Sequence, residues 1–514
     1  MRNLFARAKN RSTFRPRFAA KWSLLPAVGL AAVSLSNPAF AQSSSDHLLD
    51  LLQKKGLISE KEAADLRNEA SQTNAVSGSK WKLSSGIKDI ELFGDMRFRY
   101  EYRGVDSAVG QTGYRERFRY ALRVGLRGNL FDDFYYGLRL ETSQNPRSPW
   151  ATFGDESSFP FPGPSSKSND GINVGQAYLG WRPADWVDIT VGKMPNPLYT
   201  TAMIWDPDIN PEGAAERFKY SVGAIDFFAT FGQFLYQDVN PEKPITPFFG
   251  TLEGNQSDAF LLAWQIGANV NLNKDMALKV APTLYNYTGR GQKGGLFQTA
   301  FVGEGFVNPA TGAENGSNYA LDPATGKYGV NSGNPFAYNQ TGINDLLVFE
   351  VPGEFNFKVG SYKARIFGDF SINLEGDDRA RAAASAPHSP LPHAFLNENK
   401  AYQIGLGFGN LGLVYGQTSK KGTWEARTYW QHTEQYAVDV NLIDSDFFEG
   451  RANMEGIFTA VAYSFTDNII GTVRYGYGER INRNLGTGGS NQDLPQVNPI
   501  NYYNLLQLDL TWRF

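Results

Sequence analysis

From about residue 87 to the C-terminus, apolar and polar residues alternate with a period of two. In YRERFRYALRVGLRG (114–128), Arg115, Arg117, Arg119, Arg123 and Arg127 take odd positions, while Phe118, Tyr120, Leu122, Val124 and Leu126 take even ones. Side chains of an extended chain point alternately to opposite faces, so the pattern predicts a strand with one apolar and one strongly basic face. IELFGDMRFRYEYR (90–103) repeats it, with Ile90, Leu92, Met96, Phe98, Tyr100 and Tyr102 against Glu91, Asp95, Arg97, Arg99, Glu101 and Arg103. The last strand, NYYNLLQLDLTWRF, sets Leu506, Leu508, Leu510, Trp512 and Phe514 against Gln507, Asp509, Thr511 and Arg513.

Extending the pattern predicts sixteen strands: 90–103, 114–127, 134–143, 173–182, 186–193, 215–222, 224–236, 258–272, 275–287, 345–357, 362–375, 400–417, 423–434, 455–465, 468–479 and 502–514. A parity shift after Phe408 is read as a β-bulge. Connections after even-numbered strands are short and those after odd-numbered strands are long. Short turns on one side and long loops on the other, with apolar-out, polar-in strands, mark a membrane barrel. The expected fold is therefore all-β, a transmembrane antiparallel β-barrel of about sixteen strands spanning 87–514. A soluble β-sandwich also alternates, but this many strands would need two domains, and no boundary shows between 87 and 514.

The N-terminus departs from this period. Residues 1–21 carry seven basic side chains and no acid, followed by the apolar run WSLLPAVGLAAVSL and by Ala39-Phe40-Ala41. That is the layout of a secretory signal peptide, with cleavage expected after Ala41. Its removal would take the formal charge from −3 to −10, since −3 − 7 = −10, which disfavours nucleic acid as a partner. Residues 46–70 read as a short periplasmic helical hairpin, with Ser59 and Glu62 forming a capping box, and 71–86 as a polar linker. The hairpin suggests a cell-wall contact or an oligomerisation element. The chain has no cysteine, so disulfides and cysteine-ligated metals are excluded.

Several segments resemble the putative porins of Gram-negative bacteria. They are LLDLLQKKGLISEKEAADLR, ELFGDMRFRYEYR with YRERFRYALRVGLRG, QAYLGWRP, ITVGKMPNP, WDPDINPEGAAERF, KKGTWEARTYW and the terminal strand. The resemblance implies a water-filled outer-membrane pore for small hydrophilic solutes, assembled as a homotrimer and surrounded by lipid.

In such a barrel an arginine facing lipid at mid-membrane would cost about 2–4 kcal/mol. Arg97, Arg99, Arg103, Arg115, Arg117, Arg119, Arg123 and Arg127 are therefore expected to line the pore as one basic wall, diluted by Glu91, Asp95 and Glu101. Glu116 breaks the parity and is placed at the outer rim. The third external connection, MPNPLYTTAMIWDPDINPEG (194–213), holds Asp206, Asp208, Glu212 and four prolines, with no basic residue. By analogy with general porins it is expected to fold inward as the constriction. An acidic loop facing an arginine wall gives a transverse field favouring charged or dipolar solutes. Arg97, Arg99, Arg115, Arg117 and Arg119 are then expected to set a preference for anions. Equally, the carboxylates serve to hold the loop in place by ion pairs.

Catalysis is not expected. The sequence holds no G-x-S-x-G, H-E-x-x-H or P-loop motif. His388 and His393 sit in a Pro-rich loop, and His432 shares the lipid-side parity of Trp430 at the interfacial belt. No cofactor or metal is implied, and the two PATG copies near 308–331 read as turns. Two rival readings remain: a substrate-specific, anion-preferring channel, and a structural barrel tethering the envelope through residues 46–70.

Overall fold

The computed structural model describes residues 86–107, 112–131, 133–143, 148–154, 171–238, 258–289, 342–385, 391–410, 420–489 and 499–514. The expected signal peptide, the helical hairpin, most of the linker, the PATG stretches and His388 lie outside them.

Period-two alternation becomes one closed antiparallel sheet. Its segments are β1 (Glu91–Ser107), β2 (Thr112–Asn129), β3 (Phe134–Thr142), β4 (Ala151–Thr152), β5 (Ile172–Ala184), β6 (Val187–Lys193), β7 (Glu212–Val222), β8 (Ile225–Gln237) and β9 (Ala259–Asn273). They continue as β10 (Met276–Val280), β11 (Thr283–Thr288), β12 (Leu347–Val359), β13 (Tyr362–Asn373), β14 (Lys400–Gly409), β15 (Trp424–Thr433), β16 (Met454–Ser464), β17 (Ile469–Arg480) and β18 (Ile500–Arg513). β10 and β11 are halves of one strand, since both pair with β9 and β12. Pro282, which has no N–H for the ladder, lies at the break. β4 is a two-residue segment of an external connection that folds back onto β2. Sixteen barrel strands remain, and β1 pairs with both β2 and β18, closing the cylinder.

Fifteen of the sixteen expected strands are present within a few residues at each end. The segment expected at 275–287 is interrupted by Pro282. The strand expected over 400–417 is described as far as Gly409, and 411–419 lie outside the described residues. The connection expected at 376–399 contains a helix, α1 (Gly376–Ser385), whose first turn carries Asp377 and Asp378, favourable at the positive end of the helix dipole. Two-residue turns between paired strands need left-handed backbone, and Gly223 (φ +59°) and Gly360 (φ +62°) supply it.

The two faces separate by polarity. Ile266 and Ile404 are 66% and 63% exposed on the outside, whereas their neighbours Gln265 and Gln403 are 1% and 6% exposed on the inside. No described helix is long and apolar enough to cross a membrane. The described strands instead present their apolar face outward, and neighbouring strands pair their backbones round the closed sheet.

Candidate functional site

Closure of the sheet sets the charged residues of β1, β2 and β18 side by side. In the register Asp95 lies opposite Arg123, Arg99 opposite both Arg119 and Asp509, and Glu101 opposite Arg117 and Gln507. Like charges directly opposite each other repel, so Arg99 and Arg119 need anions within reach. Arg99 makes a forked pair with Asp509 (2.8 and 3.0 Å) and reaches Asp446 at 2.7 Å. Glu101 accepts from Arg117 Nε at 2.7 Å and Arg103 at 3.1 Å, with Arg119 3.7 Å away. Arg97 bonds Asp95 at 2.6 Å, and Arg123 bonds Asp95 at 2.8 Å. Arg127 pairs with Glu91 at 2.6 Å near the short-turn end of the barrel. Arg115 is half-buried and lies opposite Arg103. The basic side of β1 and β2 is thus a packed ionic network.

Two external connections fold into the barrel and meet there. The first runs from Met194 to Pro211. Tyr199 is fixed at its backbone by the Gln265 side chain, accepting at 2.9 Å and donating at 2.8 Å. Thr200 bonds Glu350 at 2.6 Å, and Thr201 bonds Asp369. These contacts carry the chain across to β9, β12 and β13. The second connection, residues 434–453, is one of the long connections expected after odd-numbered strands, with no inward role expected of it. It instead lies inside, because it carries apolar side chains that need cover. Val438, Val440, Leu442 and Ile443 are buried with Leu198, Met203, Ile204 and Trp205 of the first connection. Phe447 and Phe448 pack on Tyr429, Phe458 and Tyr503 of the wall. Reciprocal backbone bonds join the loops: Asp206 N to Leu442 O (2.6 Å) and Asp444 N to Ala202 O (3.0 Å).

The two loops bring four carboxyls, Asp206, Asp208, Asp444 and Asp446, to one cavity of about 790 Å³. Asp208 faces Arg123 at 3.3 Å, and Asp446 lies between Arg99 and Gln507 (3.1 Å). Burial pushes the Asp206 carboxyl well above the usual carboxylate range, and Asp444 beside it adds to the effect. Burial likewise raises Asp208. Burial, then the neighbouring charge of Asp446, raises Asp444 to about 7. Glu212 is elsewhere, exposed at the start of β7 and paired with Lys193 at 2.9 Å.

Of the eight wall arginines, Arg97, Arg99 and Arg123 line this cavity. They are joined by Arg365, Arg427, Arg474 and Arg513, which the sequence reading did not single out. These residues have the same inward parity, and only the β18–β1 seam makes them neighbours of the first hairpin. Arg474, for example, shares Asp509 with Arg99. Trp150 was also missed. The fold-back that forms β4 places it in the cavity, with the Arg99 guanidinium 4.0 Å from its ring centre. No helical or strand period marks a lone tryptophan in a loop.

The two described histidines, His393 and His432, are not among the residues lining the cavity. His432 bonds Glu455 at 2.8 Å and stacks on Tyr402 at 4.7 Å. His393 packs on Phe395.

Comparison with solved structures finds OprB of Pseudomonas putida, with TM-score 0.42 and 10% identity over 82% of this chain and 94% of that one. OmpT of Vibrio cholerae follows at TM-score 0.38, with 10% identity over 84% of this chain and all of that one. The outer-membrane channel DcaP of Acinetobacter baumannii has TM-score 0.38, with 11% identity over 84% of this chain and 99% of that one. No curated protein matches the sequence. The model of the putative porin family matches residues 108–514, which include every barrel strand after β1. The chain therefore belongs to the putative porins and is a channel-type β-barrel of the outer membrane.

Proposed function

We propose that the barrel conducts small hydrophilic solutes passively across the outer membrane, with its constriction between the arginines of the wall and the carboxyls of the two inner loops. One observation carries this reading: charged side chains from both inner loops and from seven barrel strands meet in one cavity inside a closed apolar-out cylinder. Burying so many charges would be costly without water or paired partners, and a solute path through the barrel explains their retention.

The cavity-lining arginines favour anions, the acidic loops oppose them, and the field between them aligns dipolar solutes. Arg97, Arg99 and Arg123 carry this role, whereas Arg103, Arg117 and Arg119 gather on Glu101 and hold the wall together. Asp206, Asp208, Asp444 and Asp446 form the acidic side, and Glu212 stays outside it. The family resemblance adds a homotrimer, which unheated gel electrophoresis would display as a band of three chain masses.

The test is a planar-bilayer recording of the full chain in a KCl gradient. Wild type is expected to open stable channels with a reversal potential on the anion side. Replacing Arg97, Arg99 and Arg123 by Gln is expected to move that potential toward cations. Absence of conductance would sink the channel reading, and an unmoved potential would sink the assignment of selectivity to these arginines.

A further inference from the structure

The cavity has a second wall that ion preference does not use. Across β13–β16 the register aligns a row of lumen-facing positions: Phe367 opposite Gly405, Gly405 opposite Tyr429, and Tyr429 opposite Phe458. One step nearer the periplasm runs a basic row: Arg365 opposite Gly407, Gly407 opposite Arg427, Arg427 opposite Ala460, and Ala460 opposite Arg474. The small residues between them keep the wall concave. A Cβ on Gly405 would come within 2.5 Å of the Phe367 ring and 2.6 Å of Tyr429 Cβ. With glycine there, Phe367 meets Tyr429 edge to face at 6.1 Å, and Tyr429 stacks on Phe458 at 5.1 Å.

The two rows touch. The Arg427 guanidinium lies 5.6 Å from the ring centres of both Tyr429 and Phe458, and Arg365 lies 4.8 Å from that of Phe367. Lumen-facing positions of an aqueous barrel are ordinarily polar. Three adjacent rings there need a reason. Packing with Phe447 and Phe448 buries most of these rings, leaving Phe367 9%, Tyr429 5% and Phe458 2% exposed, and the edges that remain line the cavity. A ring surface edged by guanidinium groups offers stacking and charge to the same ligand.

We propose that this wall selects small aromatic carboxylates, with the solute ring against the cavity-facing edges of Phe367, Tyr429 and Phe458 and its carboxylate against Arg365, Arg427 and Arg474. The proposal rests on the channel reading and narrows its solute class. A cavity of about 790 Å³ holds a single-ring acid with room for its water.

The experiment adds benzoate, cyclohexanecarboxylate or benzylammonium to full-chain channels carrying KCl current, and counts current interruptions. Benzoate is expected to interrupt at about tenfold lower concentration than cyclohexanecarboxylate, and benzylammonium to leave the current uninterrupted. Tyr429→Leu is expected to bring the benzoate to cyclohexanecarboxylate ratio close to one, and Arg427→Gln to weaken both carboxylates. Equal potency of the two carboxylates in wild type would overturn the proposal, as would interruption by benzylammonium matching that by benzoate. These wild-type comparisons decide the matter even if a variant fails to insert. A chain that carries no KCl current would instead fail the channel reading itself.

Discussion

At the scale of single residues, Glu101 and Asp444 show how the same interior uses charge in two ways. Glu101 is 1% exposed and has Arg99, Arg103, Arg117 and Arg119 within 4 Å. Removing one partner of a buried ionic cluster leaves the rest uncompensated, at a cost of about 3–5 kcal/mol. Glu101→Gln should therefore lower the temperature at which the folded band is lost on unheated gels. An unchanged transition would show that water, not Glu101, compensates these arginines.

Asp444 behaves oppositely. Burial, helped by Asp446, raises its proton affinity to about 7, above the ordinary 3.8 of an unfolded chain. A raised carboxyl contributes stability that is complete below about pH 4 and is lost as the pH climbs through about 7. Deprotonation also adds negative charge beside Asp206, Asp208 and Asp446, with Arg427 the nearby cation. Anion preference in wild type should then fall between pH 6 and 8, as read from reversal potentials, and Asp444→Asn should remove that step. A flat wild-type profile would rule out titration of this group in the open channel. Arginine and aspartate identities were plain in the sequence, but which of them pair was not, because partners such as Arg99 and Asp509 are 410 positions apart.

At the scale of elements, the strands were legible because lipid and water impose opposite demands on alternate residues. Even the short strand expected at 215–222 is formed, as Glu212–Val222. The inner loop at 434–453 was not recognised, although its segment VDVNLIDSDFF holds a signal. Its apolar side chains are out of place in a loop that faces water, and Phe448, Glu449 and Asn453 adopt left-handed backbone that non-glycine residues hold only when surrounding contacts fix it. Phe447 is central to those contacts, packing on Phe448, Tyr429, Phe458 and Tyr503. Phe447→Ala should remove about 3–5 kcal/mol of packing and free the loop from the wall. The expected signature is larger and noisier single-channel current. Conductance equal to wild type would mean that the bonds to Asp206 and Ala202 suffice to hold the loop.

At the scale of the whole molecule, closure turns a sequence pattern into an inside and an outside. The β1–β18 seam joins residues from opposite ends of the chain, and Gly94 and Phe514 exchange backbone hydrogen bonds across it. Once closed, the cylinder gives neighbouring residues of one strand opposite solvents. On β14, Ile404 faces lipid at 63% exposure, while Gln403 lines the cavity. The same substitution at the two positions should then have unequal consequences. Ile404→Arg places a guanidinium in hydrocarbon, at a cost of about 2–4 kcal/mol near the bilayer centre. Gln403→Arg places it among water and carboxyls, where the change should be well below that and should move ion selectivity instead. Folding yield into lipid vesicles, read as the compact band on unheated gels, distinguishes them. Equal loss at both positions would contradict the face assignment on which the barrel, the cavity and the channel all depend.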